Sequence, residues 1–253
     1  GSAGVNLGPT LRLSSGGTAL SQPGTLVPVT VHAPLVIEPA SPTGNGSYTF
    51  TNNSTTAPDA FTNNNLYKMN LLGDISGGVT TGSITLNFTG TAGVRGADAS
   101  ANIVSGLISN GGAAGGLGIS VTGSGGGNFG AWSFTNNSNS FTGPVTLSAG
   151  TLITSSLGNI GQNSAIGAGS SIQLNSGAQF KIAGPATSTD RAINSISGVI
   201  YAVSNPVTLN GAITMNSLTF RGGSNFIVNS VISGTGNLSR TDGGTVFLNQ
   251  NNT

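Results

Sequence analysis

The chain has 253 residues, of which seven are Lys or Arg and six Asp or Glu. At 5% charged, against about 25% in an ordinary soluble domain, and with a net charge of +1, it offers no electrostatic footprint for nucleic acid or an anionic membrane. The absence of Cys and a single His exclude a disulfide framework and a thiolate or histidine-rich metal site, and no apolar run is long enough to span a bilayer as a helix. No cofactor is implied.

Polarity comes instead from 42 Gly, 33 Ser, 30 Thr and 28 Asn, just over half of the chain. Taken in order, Thr10-Leu11-Arg12-Leu13, Ser83 to Phe88, Val145-Thr146-Leu147, Ser171 to Leu174 and Thr245 to Leu248 are short and mostly alternating. Each is bounded by Gly, Ser or Asn, and period two with one face buried predicts strands. Leu, Ile, Val and Phe total 63 residues, about a quarter of the chain and above the level of about 20% below which disorder is expected. The strong helix formers Lys, Glu, Arg and Met are rare, and Gly or β-branched residues interrupt every candidate window. The fold class is all-β.

Internal repeats supply an arrangement. Gly46 to Ser54 (GSYTFTNNS) recurs as Gly130 to Ser138 (GAWSFTNNS), with a looser third copy at Gly244 to Asn252. Gly143 to Leu147 (GPVTL) returns as Asn205 to Leu209 (NPVTL), and an Ile-Ser unit appears at Ile75, Ile108, Ile196 and Ile232. The first two offsets equal four and three units of roughly 21 residues, a plausible solenoid turn. A parallel β-helix explains the composition: stacked coils pair their backbones, Asn amides bond along the stack, Gly serves the corners, and repeated like charges repel. At that repeat the chain makes about a dozen coils, a rod on the order of 50–60 Å long. An antiparallel sandwich is the structural alternative. Residues 1–253 read as a single β-helix segment with protruding loops near 54–68 and 91–130, part of a longer repeat protein.

The stretch Val231 to Thr253 resembles the autotransporter-associated β-strand repeat, also called the passenger-associated transport repeat. Ile232, Gly234, Gly236 and Leu238 match its first half, and Gly244, Thr245, Leu248, Asn251, Asn252 and Thr253 its second. Phe141-Thr142-Gly143 and Val145 to Leu152 look like its closing half, and Ser155 to Ile182 is similar to the segment that follows. The family's Lys-x-Gly after the first Leu is here Ser239-Arg240-Thr241-Asp242-Gly243. The resemblance implies a right-handed β-helix, extracellular or on the cell surface of a Gram-negative bacterium. It implies a non-catalytic stalk, fibre or adhesin shaft, and it transfers no catalytic or binding residue.

Two other roles have residues to weigh. A β-helix polysaccharide lyase or hydrolase needs paired carboxylates. Glu38 and Asp59, or Asp74 and Asp98, are spaced to stack on adjacent coils, with Lys68 and Arg95 near enough to join them, although each acid also reads as an ordinary turn residue. His32 reads as a half-buried strand residue, and Tyr48 and Trp132 as core. An adhesin module would bind surface glycans or partner chains through the projecting loops, with Tyr67 the exposed aromatic. End-to-end self-association is a further partner reading, because end coils offer unpaired backbone.

Overall fold

The computed structural model describes residues 10–14, 18–23, 29–53, 68–91, 101–123, 130–175 and 177–252. Among these, 24 strands and no helix are present, and the strands pair in parallel throughout. They fall into three faces visited in a fixed order. The first face holds Thr18–Pro23, Gly46–Asn53, Ile84–Gly90, Leu117–Gly123, Val145–Ala149, Ser171–Leu174 and Ala192–Ser195. The second holds Val29–Val31, Met69–Leu71, Asn102–Val104, Ala131–Phe134, Thr151–Thr154, Gln179–Ile182 and Gly198–Ala202. The third begins with Leu11–Ser14, Leu35–Glu38, Ile75–Gly77 and Ile108–Ser109, and resumes at Thr187–Thr189, Val207–Leu209, Phe226–Val228 and Val246–Leu248. Two long strands, Ile213–Arg221 and Ile232–Arg240, bend from the first face into the second, so the pairing of those two faces runs through one 16-stranded sheet. The chain is a parallel β-helix, and the pairing excludes the antiparallel sandwich.

Coil length is not constant, as side chains that bond across adjacent coils show. Thr51 and Thr89 are separated by 38 positions in the chain, and Met69 and Asn102 by 33. The separation falls to 27 between Ser148 and Asn175, and to 19 and 20 along Asn210, Asn229 and Asn249. The expected repeat therefore holds only for the last coils. The first face carries nine rungs, which at about 4.8 Å each span about 38 Å rather than the length of a dozen coils. The sequence repeats do not mark the coil either. Gly46–Asn53 lies on the first face, Ala131–Phe134 on the second and Val246–Leu248 on the third. Likewise Val145–Ala149 is on the first face and Val207–Leu209 on the third. The shared pattern is what any strand followed by an Asn-rich corner requires, so it recurs without keeping register.

Strand alternation decides what is inside. Ile84–Gly90 reads buried and half-buried by turns, with Ile84, Leu86 and Phe88 inward. One continuous hydrophobic cluster runs from Val31 to Ile232. On the second face Trp132, Leu152, Phe180, Ile200 and Phe220 are in register, an interior column with one large apolar side chain per coil. Phe50 and Phe88 stack at 5.3 Å between ring centroids, and Phe88 meets Trp132 and Phe134 edge-on at 4.9 and 5.1 Å. Tyr48 and Trp132 are thus core residues from different faces. Gly90 shows why the corners need glycine: φ is +129°, and a Cβ there would lie 2.0 Å from the Asn52 carbonyl oxygen of the coil beneath.

The third face is interrupted for two coils, where residues 139–142 and 155–170 carry no strand. Side-chain amides take over part of the pairing. Asn139 accepts from the Ile108 N–H at 2.8 Å and donates to the Ala165 carbonyl at 2.9 Å, bridging three successive coils. Asn102 does the same at the second-face corner, accepting from Met69 N–H and the Asn52 amide and donating to Ala131 O. A carboxamide carries the same donor and acceptor as a peptide group, so it can stand in for a missing rung.

Phe88→Ala is expected to lower unfolding free energy by about 3–5 kcal/mol, because it empties the junction of four rings. Thr85→Ala, on the outward side of the same strand, is expected to change it by less than about 0.5 kcal/mol, checked by denaturant unfolding.

Candidate functional site

Ten of the charged residues are described; Asp59, Arg95 and Asp98 lie outside the described residues, as does Tyr67. Asp74 accepts from the Leu107 N–H of the next coil at 2.8 Å. Asp190 accepts from Ile160 N–H at 2.7 Å. Glu38 pairs with Arg12 of the preceding coil. Asp242 accepts from Gly222 N–H at 3.0 Å and pairs with Arg221 at 3.2 Å. Each of these four carboxylates holds one coil to another. Asp74 opens its strand and Glu38 closes the adjoining one, and the length of strand between them separates them by about 13 Å. Their backbones are thus farther apart than the two carboxyl groups of a glycoside hydrolase, about 5–9.5 Å. Among the described residues no three His, Cys, Asp or Glu side chains are grouped to hold a metal ion. His32 is exposed at the corner after Val29–Val31 rather than half-buried in a strand, because the strand ends at Val31 and His32 takes the outward phase between buried Val31 and Ala33.

Two arginines act as structural centres that sequence reasoning misses. Arg191 is fully buried. Its guanidinium donates to the carbonyls of Ile166 at 2.9 Å and Gly167 at 2.5 Å, and more weakly to Gln162 O and Ser164 Oγ. Around it Thr189 Oγ donates to Gly158 O, and Thr187 Oγ bridges both backbone groups of Leu157. The segment 187–191 therefore fastens the strandless stretch of the third face onto the stack. Burial lowers the Arg191 pKa to about 10, with neighbouring Asp190 acting in the opposite sense. Arg240 occupies the inward position after Phe220 in the second-face column. It donates to the carbonyls of Gly222, Ser224, Thr241 and Gly244 and lies 5.8 Å from the Phe226 ring centroid. The signal for both is the alternation itself, since Arg191 is in phase with buried Ile193 and Arg240 with half-buried Leu238.

The first face has a different surface. None of the described charged residues lies on its strands; Arg221 and Arg240 end the second-face halves of the two bent strands. An outward column runs along it in strict register, beginning Thr49, Asn87, Ser120, Thr146. It continues through Gln173, Asn194, Thr214 and Ser233. A parallel column places Thr51 beside Thr89, their hydroxyls 2.9 Å apart, and Thr89 beside Thr122. In its later coils the face sinks into a shallow open groove lined by Gln173, Asn194, Ile196, Thr214 and Asn216. The loop expected over 91–130 is instead largely part of the stack: residues 102–104, 108–109 and 117–123 are strands of all three faces, because their alternating apolar residues continue the interior columns. Residues 92–100 and 124–129, like 54–67, lie outside the described residues. No helix among the described residues is long and apolar enough to cross a membrane.

No family model matches this chain, and no curated protein or solved structure is significantly similar to it.

Arg191→Met is expected to destabilise the fold by about 1.5–3 kcal/mol, the cost of losing charge-assisted hydrogen bonds to buried carbonyls, read from denaturant midpoints. Asp242 gives a pH signature. The Gly222 N–H and the Arg221 guanidinium hold its carboxyl below the ordinary range. Its contribution is therefore complete above the unfolded carboxylate pKa and is lost as pH falls through the lower folded value. Asp242→Asn should lose less stability than the parent on acidification, measured as Tm against pH.

Proposed function

We propose that this chain is a non-catalytic scaffold segment of a bacterial surface protein, a shaft that spaces other parts of an autotransporter-like passenger from the envelope. The observation that carries the reading is the use of the described carboxylates. All four bind one coil to another, and none is left facing a cleft with a second acid. The repeat resemblance adds two positions. Arg240 lies in the stretch that stands for the family's Lys-x-Gly, and its guanidinium joins the Gly222 and Ser224 carbonyls of the preceding coil's corner to the Gly244 carbonyl of its own. Asp242 lies in the same stretch, and its φ of 74° is in the left-handed region that glycine enters freely.

A scaffold of this kind is exposed on whole cells. Antibody raised against the 253-residue segment is expected to label intact producing cells as strongly as permeabilised ones. Labelling only after permeabilisation would overturn the reading. So would depolymerisation of a polysaccharide by the purified chain that is abolished in Asp74→Asn.

A further inference from the structure

The groove on the neutral first face gathers neighbouring amides and hydroxyls that the stack leaves unengaged, beside Gln173, whose amide donates to Asn175 Oδ1 at 3.1 Å. Many Asn side chains on the other faces are tied into the stack. Asn45 accepts from Ser83, Asn110 bonds Leu117 and Thr142, and Asn210, Asn229 and Asn249 form a continuous ladder at 2.9 and 2.7 Å. In the groove, the side chains of Asn194, Thr214 and Asn216 have no hydrogen-bond partner among the described residues, and all three are exposed. Asn194 and Thr214 are in register on adjacent coils, with Gln173 before them and Ser233 after. Ile196 borders the same groove with half of its surface open to solvent.

We infer that this groove binds an extended, uncharged, β-linked hexose chain lying along the solenoid axis. Each part of that ligand class follows from a feature of the face. Unengaged amides and hydroxyls both donate and accept, which is the bonding capacity of a sugar hydroxyl. No strand carries a described charge on this face, so a sulfated or uronate polymer would leave its anions unmatched. Ile196 supplies the apolar contact that the C–H face of a pyranose ring takes. Successive rungs lie about 4.8 Å apart, close to the advance of one hexose in an extended β-linked chain, so one polar group recurs per sugar. A protein strand is a poorer fit, because both edges of Ala192–Ser195, the strand at the groove, are already paired with the neighbouring coils. The inference goes beyond the scaffold role and does not rest on it, since oligosaccharide titration is indifferent to where the protein resides.

The experiment is calorimetric titration of the full 253-residue chain with cellohexaose and chitohexaose, with the matching disaccharides and an α-linked dextran oligomer as comparisons. At least one hexasaccharide is expected to bind about tenfold or more tighter than its disaccharide, as several rungs contribute in turn. Affinity should be unchanged between about 0.01 and 1 M salt, since no charge takes part. Asn194→Ala/Thr214→Ala, with circular dichroism unaltered, should lose about tenfold or more, the worth of one or two hydrogen bonds. Thr208→Ala on the third face serves as the matched control and should bind as the parent does. Asn194→Ser, which keeps a donor and acceptor, should retain most of the affinity if the double variant proves unstable. Absence of binding by either hexasaccharide overturns the proposal. Equal binding of the dextran oligomer, salt-sensitive binding, or binding indifferent to the groove substitutions overturns it as well.

Discussion

The structure depends on one contact repeated along its length: each coil lies in parallel register on the next, backbone to backbone, with the same side-chain position above and below. That arrangement satisfies the main-chain donors and acceptors of every interior rung and fixes the orientation of every side chain at once. It also makes each position a column. An apolar residue turned inward must fit its two axial neighbours, which is how Trp132, Leu152, Phe180, Ile200 and Phe220 come to form one continuous interior row. A polar residue turned outward sits about 4.8 Å from the side chain on the next coil, where Thr and Asn can bond along the stack and like charges would repel.

The scarcity of charge follows from that geometry, and the charged residues that organise backbone are placed where the stack needs help. They sit at corners, at the break in the third face, or in the last described coil. Arg191 holds a strandless stretch to the coil that follows it through backbone carbonyls that have no strand partner. Arg240 closes the interior column where the apolar row ends, gathering two carbonyls of its own corner and two of the corner one coil earlier. Asp74, Asp190 and Asp242 act as acceptors for backbone N–H groups on neighbouring coils. A cationic fork and an anionic acceptor thus do at irregular places what the strand ladder does elsewhere. The first face, which has no irregularity within its strands beyond small register shifts, carries none of them.

Much of this was legible in the sequence because side-chain alternation and corner chemistry are local. The all-β class, the parallel solenoid, the buried Phe50, Phe88, Trp132 and Phe134, and the use of Asn along the stack all follow from period two and from what a ladder tolerates. The coil period was not legible. Strand-plus-corner units such as GSYTFTNNS and GAWSFTNNS are similar because every face needs the same local elements, and similarity of that kind carries no information about which face a strand joins. Coils that are twice as long at Thr51 and Thr89 as at Asn210 and Asn229 then hide the register completely. The groove was illegible for a related reason. Gln173, Asn194 and Thr214 come from three successive coils and become neighbours only once the stack is assembled. Arg191 lies in phase with Ile193, but a charged residue in an inward phase looks like a strand boundary until the carbonyls it serves are in place.

Outward positions on successive coils are direct neighbours in an axial ladder and therefore exclude like charge, and the whole structure turns on that adjacency. It is tested most directly by a double-mutant cycle at Gln173 and Asn194, which are in register on adjacent coils but a full coil apart along the chain. Unfolding free energies of Gln173→Glu, Asn194→Glu and the double variant are measured at low and high salt. The double variant should be less stable than the sum of the single changes by about 0.2–1 kcal/mol, and salt should remove the deficit. Strict additivity at low salt would contradict it.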